Sequence, residues 1–548
     1  MKTKSFRIGT AHVLAILVLA AAGAAVPAQA QTYTVLFDFL LGGPGPQWPG
    51  GPLAQGRDGD LYGWSYNGGA TNNGSIWKTD PSGTVSVIYN FASGNDCQNG
   101  MILGTDGNFY GTALTNCTGA GYVFKITPTG TLTVLHTFTG TPDGSGPGLL
   151  TQYTDGNFYG ITNLGGANNL GSVFKITPTG TLTTLYSFPG GGPSFPTYGL
   201  TVGTDGNFYG TFSGDSGWRG GVFKMTSSGT VTILHAFFDT PDGATPASGV
   251  ILGKDGNFYG TTQYGGLVYD GHDYEGTVFK MTPSGTVTIL HSFNLATDYA
   301  AYPTTPLLQA TDGNFYGTIS GCAEFGCNNL NDIYKVTPSG TLTVLEEFTG
   351  PNGSYPYWPL NQDTNGIIYG VAQQGGTVNG GVFYSLDISA APFASLVSTS
   401  GKEGAKIGIL GQGFSSSSVV KFGGVQAITI TLSGTTFITA TVPAGALTAA
   451  VTVTTGATTL TSPQTFKVTP TFTSFSPTSG SAGTPVVLTG TGLTQTTKVT
   501  FGGVRATTFT VNSDTQVTAN VPTGAVTGKI GITTLGGSVT STTNFTVL

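Results

Sequence analysis

The residues able to do chemistry are few, and most of them are repeated. His272 stands apart, in the loop Gln263 to Gly276 with Asp270, Asp273 and Glu275. An imidazole among carboxylates suits a transition metal. The competing and favoured reading is a solvated acidic loop that holds no metal. His136, His235 and His291 occupy one repeated slot, which elsewhere holds Phe37, Tyr89, Tyr186 and Glu346. A slot open to those types reads as packing or surface and not as a general base. A carboxylate recurs at Asp58, Asp106, Asp155, Asp205, Asp255 and Asp312. Calcium is one reading, because Asp and Asn oxygens are hard ligands. Calcium loops, however, spread their ligands over about a dozen residues. The favoured reading is a tight turn whose Asp bonds local backbone N–H groups. Lys78, Lys125, Lys175, Lys224, Lys280 and Lys335 recur in step with these acids. Repetition on that scale speaks for scaffold, and pairing with the Asp turns is expected. No G-x-S-x-G elbow, H-E-x-x-H helix or phosphate loop is present. No catalytic residue is assigned, although two carboxylates distant in sequence would suffice for glycoside cleavage. Apart from the calcium alternative, no cofactor is expected.

The elements that carry these residues are read from the repeats. DGNFYG begins at 106, 155, 205, 255 and 312, with DGDLYG at 58 and NGIIYG at 365 as variants. The seven copies are 48, 49, 50, 50, 57 and 53 residues apart. Periods of this size signal an array or a propeller. In one repeat, strand A lies around Leu149 to Tyr153 and strand B at Phe158 to Thr162. Strand C is Ser172 to Thr177, and strand D is Thr181 to Phe188. Asp155-Gly156-Asn157 and Pro178-Thr179-Gly180 are the tight turns. Four antiparallel strands every ~50 residues make a propeller blade. The segment Thr32 to Phe39 is a D strand with no A, B or C before it, and the last repeat has A, B and C but no D. The first strand therefore completes the last blade and closes a seven-bladed ring without free edges. The expected fold is all-β: a seven-bladed propeller over residues 31–386, then two Ig-like sandwiches at 387–468 and 469–548.

The sandwiches are read from two segments offset by 79 residues. Gly404 matches Gly483, Gly411 matches Gly490, and Phe422-Gly423-Gly424-Val425 matches Phe501-Gly502-Gly503-Val504. Many short strands in this length read as Ig-like domains. Composition agrees with an all-β chain. Only 8% of residues are charged, 11% are aromatic and 88 are glycine. The scarcity of Ala, Glu, Lys and Leu rules out helical bundles, and the aromatic content rules out charge-rich disorder.

In each repeat the D-to-A and B-to-C loops emerge on one side. They carry Trp48, Trp218, Trp358, Tyr198, Tyr264, Tyr269 and Tyr357, with Tyr66, Phe195, Tyr302 and Tyr355. The opposite face has only short turns. Aromatics with a polar handle suit recognition, including stacking on sugars; the competing reading is padding of long loops. The same geometry sets Cys97 beside Cys117, while Cys322 and Cys327 share one loop. Disulfides 97–117 and 322–327 are expected in an exported chain.

Export is read from residues 1–30. Lys2, Lys4 and Arg7 precede an apolar run from Val13 to Ala25, and Ala28-Gln29-Ala30 is a small-x-small cleavage site. Later stretches are too polar to span a bilayer as a helix. Loss of the signal takes net charge from −7 to about −10, a poor balance for binding nucleic acid.

The DGNFYG runs, the glycine pairs Gly165-Gly166, Gly265-Gly266 and Gly375-Gly376, and strands of the form VFKITP resemble the GloVer (Gloeo/Verruco) tandem repeat of exported bacterial proteins. That resemblance implies an outer location and supplies no reaction, so no catalytic residue is carried over. Ser476 to Gly483, Val486 to Gly490 and Lys498 to Gly503 resemble IPT/TIG domains, which implies a stalk, spacer or adhesive module. The first copy departs from the pattern, since Ser398 to Gly401 lacks the proline.

The leading expectation is a monomeric, non-catalytic binding or adhesion protein, secreted or at the cell surface. The propeller's loop face would contact a glycan or a protein, and the sandwiches would act as spacer. The competing classes are a polysaccharide lyase or hydrolase with its site at the propeller mouth, and a purely structural envelope component.

Overall fold

The computed structural model describes residues 31–92, 97–115, 118–215, 217–246, 248–267, 275–298, 300–320 and 331–548. Among them, residues 32–387 form seven antiparallel sheets. Sheet 1 is Pro46–Gln55, Leu61–Gly68, Ser75–Thr79 and Val85–Asn90, in that spatial order. Sheets 2 to 6 repeat this A-B-C-D order along the chain, with strand A of sheet 3 in two pieces, Ser145–Pro147 and Thr151–Gln152. Sheet 7 takes Asn361–Gln362, Ile368–Ala372 and Val382–Asp387, and its outer strand is Thr32–Asp38 from the start of the array. The register runs from Thr32 opposite Asp387 to Asp38 opposite Val382. The pairing covers the edge of Val382–Asp387, which would otherwise recruit another chain. One four-residue helical turn, Leu295–Asp298, lies between sheets 5 and 6.

Each letter of the repeated motif has a packing reason. In Asp155-Gly156-Asn157, Asp155 Oδ1 accepts from the Asn157 N–H at 3.0 Å. Its Oδ2 accepts from the Asn157 amide at 2.7 Å and from the Tyr159 hydroxyl at 2.9 Å. The same bonds recur at Asp106, Asp205, Asp255 and Asp312. The repeated carboxylate is thus the acceptor that shapes its own turn. The tyrosine ring stacks on the phenylalanine of the next sheet: Tyr110 on Phe158 at 4.0 Å, Tyr159 on Phe208 at 4.4 Å, Tyr209 on Phe258 at 3.9 Å. Tyr316 and Ile368 share one buried cluster, and Tyr369 and Leu61 share another, so sheet 7 packs on sheet 1. The glycine of the motif faces the aromatic residue of strand C. A Cβ on Gly160 would lie 2.6 Å from Phe174 Cζ, and one on Gly63 would lie 2.5 Å from Trp77. Only a hydrogen fits beneath these rings.

Of the repeated lysines, Lys78 reaches Asp58 at 3.0 Å and Asp60 at 2.6 Å, and Lys280 reaches Asp255 at 2.8 Å. The other four form no ion pair among the described residues, which corrects the expectation of pairing in every repeat. An exposed ion pair adds at most about 1 kcal/mol, and the turn holds its Asp through the amide and hydroxyl bonds without it.

Residues 395–547 form four more sheets, two per segment, and each segment has its own core. Ile409, Val420, Phe422, Ile438 and Phe466 fill the first, and Leu488, Val499, Phe501, Ile532 and Phe545 the second.

Candidate functional site

Strand direction sorts the connections of the seven sheets into two faces. The A–B and C–D turns lie on one, the D–A and B–C loops on the other. The turn face is covered by the first C-terminal segment. Thr436 Oγ1 donates to the Arg57 carbonyl at 2.8 Å, and the Arg57 guanidinium sits 4.4 Å above the Phe437 ring. Gln412 donates to Thr364 Oγ1 at 3.0 Å, and Lys467 donates to the Thr204 carbonyl at 2.7 Å. Arg57, Thr364 and Thr204 belong to turns of sheets 1, 7 and 4, so the segment reaches across the ring. The loop face keeps the aromatic residues.

A joint repeated on the loop face explains where several aromatics sit. Trp48, Gly146, Phe195, Thr245, Tyr302 and Tyr355 each precede a proline and each has φ between +52° and +69°. The backbone N–H of this residue bonds the preceding sheet: Trp48 to Gly380 O, Phe195 to Leu170 O, Tyr302 to Glu275 O. The following proline packs on the glycine before strand C of that sheet, as Pro196 does at Gly171 and Pro49 at Gly381. Aromatic residues in the left-handed region are costly by roughly 1–3 kcal/mol each, a cost that glycine avoids at position 146.

The expected binding residues divide into groups. Tyr198 and Trp358 come together on one cavity of about 610 Å³. Trp358 also meets Trp64 at 5.3 Å, and Trp64 meets Tyr66 at 4.5 Å. Burial, with a further contribution from Tyr357, pushes the Tyr66 hydroxyl up to about 12. Tyr357 is 43% exposed and stacks on Tyr355 at 5.6 Å. These residues make one aromatic patch across sheets 7 and 1. The others stand apart from it. Trp48 donates its indole N–H to Asn379 O at 3.3 Å, Tyr264 packs edge-on to Tyr302 at 5.7 Å, and Trp218 is 39% exposed over Gly192. Tyr269, Asp270, His272 and Asp273 lie outside the described residues, as do Cys117, Cys322, Cys327 and the side chain of Cys97. Among the described residues no group of His, Cys, Asp or Glu is set to hold a metal.

The cavity is formed where sheets 2, 3 and 4 turn from loop to strand, and Trp358 reaches it from sheet 7. Leu114, Leu149, Ile161, Leu164, Pro147 and Pro196 form apolar walls, and Asn99, Asn163, Ser145 and Thr197 add polar groups. The Tyr198 hydroxyl and the Trp358 indole N–H are enclosed with no partner. Burial therefore holds the Tyr198 hydroxyl far above its ordinary range.

The repeated histidines, expected as packing or surface, pack edge-on against Phe138, Phe237 and Phe293 and also make a polar contact. His136, His235 and His291 each pair through Nε2 with an aspartate seven residues on: Asp143 at 2.9 Å, Asp242 at 2.7 Å, Asp298 at 2.7 Å. Burial pushes the Asp143 carboxyl up, but hydrogen bonds from Thr139 and His136 outweigh it and hold the group below its ordinary value. Each pair staples the end of strand D to its loop. In the slot of sheet 6, Glu346 does the same with Asn352 at 2.7 Å. The recurrent His-to-Asp spacing is legible in the sequence. The X-Pro joint is legible too, as a proline twelve or thirteen residues before the motif tyrosine in six repeats.

These features define an all-β, propeller-like protein with a covered turn face and an aromatic loop face. The Gloeobacter/Verrucomicrobia repeat matches residues 24–217 and again 198–437, and the chain belongs to that repeat family. An IPT/TIG domain matches residues 470–547. No curated protein matches the chain in sequence. Among solved structures, a streptogramin B lyase is similar at 17% identity and a TM-score of 0.45, over 65% of this chain and 97% of the lyase. A copper-bound fungal alcohol oxidase of the AA5 family is similar at 13% identity and 0.42, over 94% of this chain and all of the oxidase. A gluconolactonase from Xanthomonas campestris is similar at 13% and 0.33, over 65% and 89%. Likenesses this distant bring none of those enzymes' chemistry to this chain. Among the described residues, no helix is long and apolar enough to cross a membrane.

Proposed function

We propose that this is an exported, non-catalytic binding protein of the cell surface or its surroundings. Residues 1–30 direct export, the seven sheets are the blades of a closed propeller, and residues 387–468 and 469–548 are two Ig-like spacers. The loop face binds a glycan or a surface protein. One observation carries this reading: the first C-terminal segment covers the turn face, so the aromatic patch of Tyr66, Trp358, Tyr355 and Tyr357, backed by the buried Trp64, and the adjoining cavity lie on the side left open.

The test is a glycan array and an envelope pull-down with the mature protein, repeated with Tyr357→Ala. Tyr357 is exposed, so its loss removes binding surface and leaves the core intact. Saturable capture that falls about five- to thirtyfold in the variant is expected for a stacking contact of about 1–2 kcal/mol. Absence of any ligand in both assays would sink the proposal.

A further inference from the structure

The cavity at the loop-face mouth has a composition that selects its guest. Among the described residues, the sixteen that line it include no Asp, Glu, Lys, Arg or His. A buried charge without a partner costs several kcal/mol, so an ionised group entering here would meet nothing to offset its lost hydration. The walls are mostly aliphatic and proline, with Tyr198 and Trp358 added. The hydroxyl of Tyr198 and the N–H of Trp358 are enclosed, so these two residues offer the cavity apolar surface and not their donors.

Beside the Ser145 and Thr197 hydroxyls, the polar contribution comes from two amides. Asn99 Nδ2 donates to the Pro147 carbonyl at 2.6 Å, and Asn163 Nδ2 donates to the Pro196 carbonyl at 3.3 Å. A proline carbonyl can only accept, so both amides are fixed with nitrogen toward the protein. Each keeps its Oδ1 as an acceptor, beside a second N–H, and both residues line the cavity. An acceptor in an apolar pocket calls for a donor on the guest.

We infer that this cavity binds an uncharged, largely apolar guest that presents a hydroxyl or N–H to the Asn99 and Asn163 carboxamide oxygens. The inference rests on the reading of the loop face as the binding face. It narrows the chemistry there to neutral groups and excludes uronate, sulfate and phosphate at this position.

The test is calorimetric titration of the protein with three matched probes: 2-naphthylmethanol, its methyl ether and 2-naphthoate. Saturable binding of the alcohol is expected, with the ether weaker by about fivefold for the lost donor and the carboxylate weaker by at least about tenfold. Leu164 is 42% exposed at the rim. Leu164→Trp fills the mouth without touching the core and should weaken the alcohol by about tenfold at an unchanged melting temperature. Failure of the alcohol to bind at millimolar concentration would overturn the inference. So would a carboxylate as tight as the alcohol, or binding indifferent to Leu164→Trp. A blank glycan array and a blank envelope pull-down, with these probes still bound, would sink the surface-binding proposal and leave the cavity assignment standing.

Discussion

Replacing Gly160 by alanine tests the packing rule that runs through all seven sheets. Gly160 pairs across strands B and C with Phe174. The added Cβ would lie 2.6 Å from Phe174 Cζ, 3.0 Å from Cε1 and 3.1 Å from Leu150 Cδ2. Ordinary carbon contacts are ~3.5–4.0 Å, so the ring must retreat by nearly 1 Å. It has nowhere to go: Phe174 is fully buried and is backed by Phe138 at 5.2 Å. Overpacking of this kind costs about 1–3 kcal/mol. Alanine also restricts the unfolded chain, which returns about 0.4–1 kcal/mol. The net expectation is a loss of about 1–2 kcal/mol. Urea unfolding followed by near-ultraviolet circular dichroism reads it directly. Two controls separate the clash from other effects. Gly43 has open space around its Cβ position and no left-handed φ, so Gly43→Ala should stay within about 0.5 kcal/mol of the parent. In a Phe174→Leu background, Gly160→Ala should lose most of its penalty, because the clashing ring carbons are gone. A neutral or stabilising Gly160→Ala, or a penalty that persists unchanged in the Phe174→Leu background, would refute the argument.

Three further perturbations follow from the same geometry. Asp363 is fully buried at a position where sheets 1, 2, 4 and 5 have glycine, and burial raises its carboxyl from 3.8 to about 7, with the Thr364 and Asn365 N–H groups countering only part of the rise. The unfolded chain releases this proton first, so stability falls as pH climbs from about 4 to 7, by roughly 4 kcal/mol per such group. Asp332, also buried and raised to about 7, adds a second share. Asp363→Asn should therefore remove about half of the combined slope, and identical pH profiles for variant and parent would count against this. Asp155→Ala strands the Tyr159 hydroxyl and opens the turn at a cost of about 1–2 kcal/mol; excess EDTA should leave the parent's melting temperature unchanged, and a drop would restore the calcium reading. Deletion of residues 32–38 uncovers the edge of Val382–Asp387, so size-exclusion chromatography with light scattering should show aggregates; a monodisperse product would mean that closure does not protect the edge.

Much of the site's frame is legible in the sequence, because strand alternation and turn chemistry are local. Asp155-Gly156-Asn157 announces its turn wherever it occurs, and the lone D strand at Thr32 needs the incomplete last repeat. The loop face is legible as a set of aromatic loops. The division among those aromatics is not. Trp48 and Tyr302 are held in joints between sheets, while Tyr198 and Trp358, 160 residues apart, meet at one cavity. Their meeting depends on how sheets are arranged around an axis, which no local pattern encodes. The pairs at His136, His235 and His291 are legible as a repeated spacing of seven residues to an aspartate, which the residue types of the slot alone pass over.

The sequence by itself determined the repeat, the four-strand unit, its turns and the complementary ends of the array, since each follows from short-range backbone preference and side-chain period. The tertiary structure alone decided three things. The motif glycine is required by an aromatic ring across the strand, not by the turn beside it. The C-terminal segment covers the turn face, through single contacts at Arg57, Thr204 and Thr364 that carry no sequence signature. And the described lining of the pocket on the open face, drawn from sheets 2, 3, 4 and 7, carries no charged side chain.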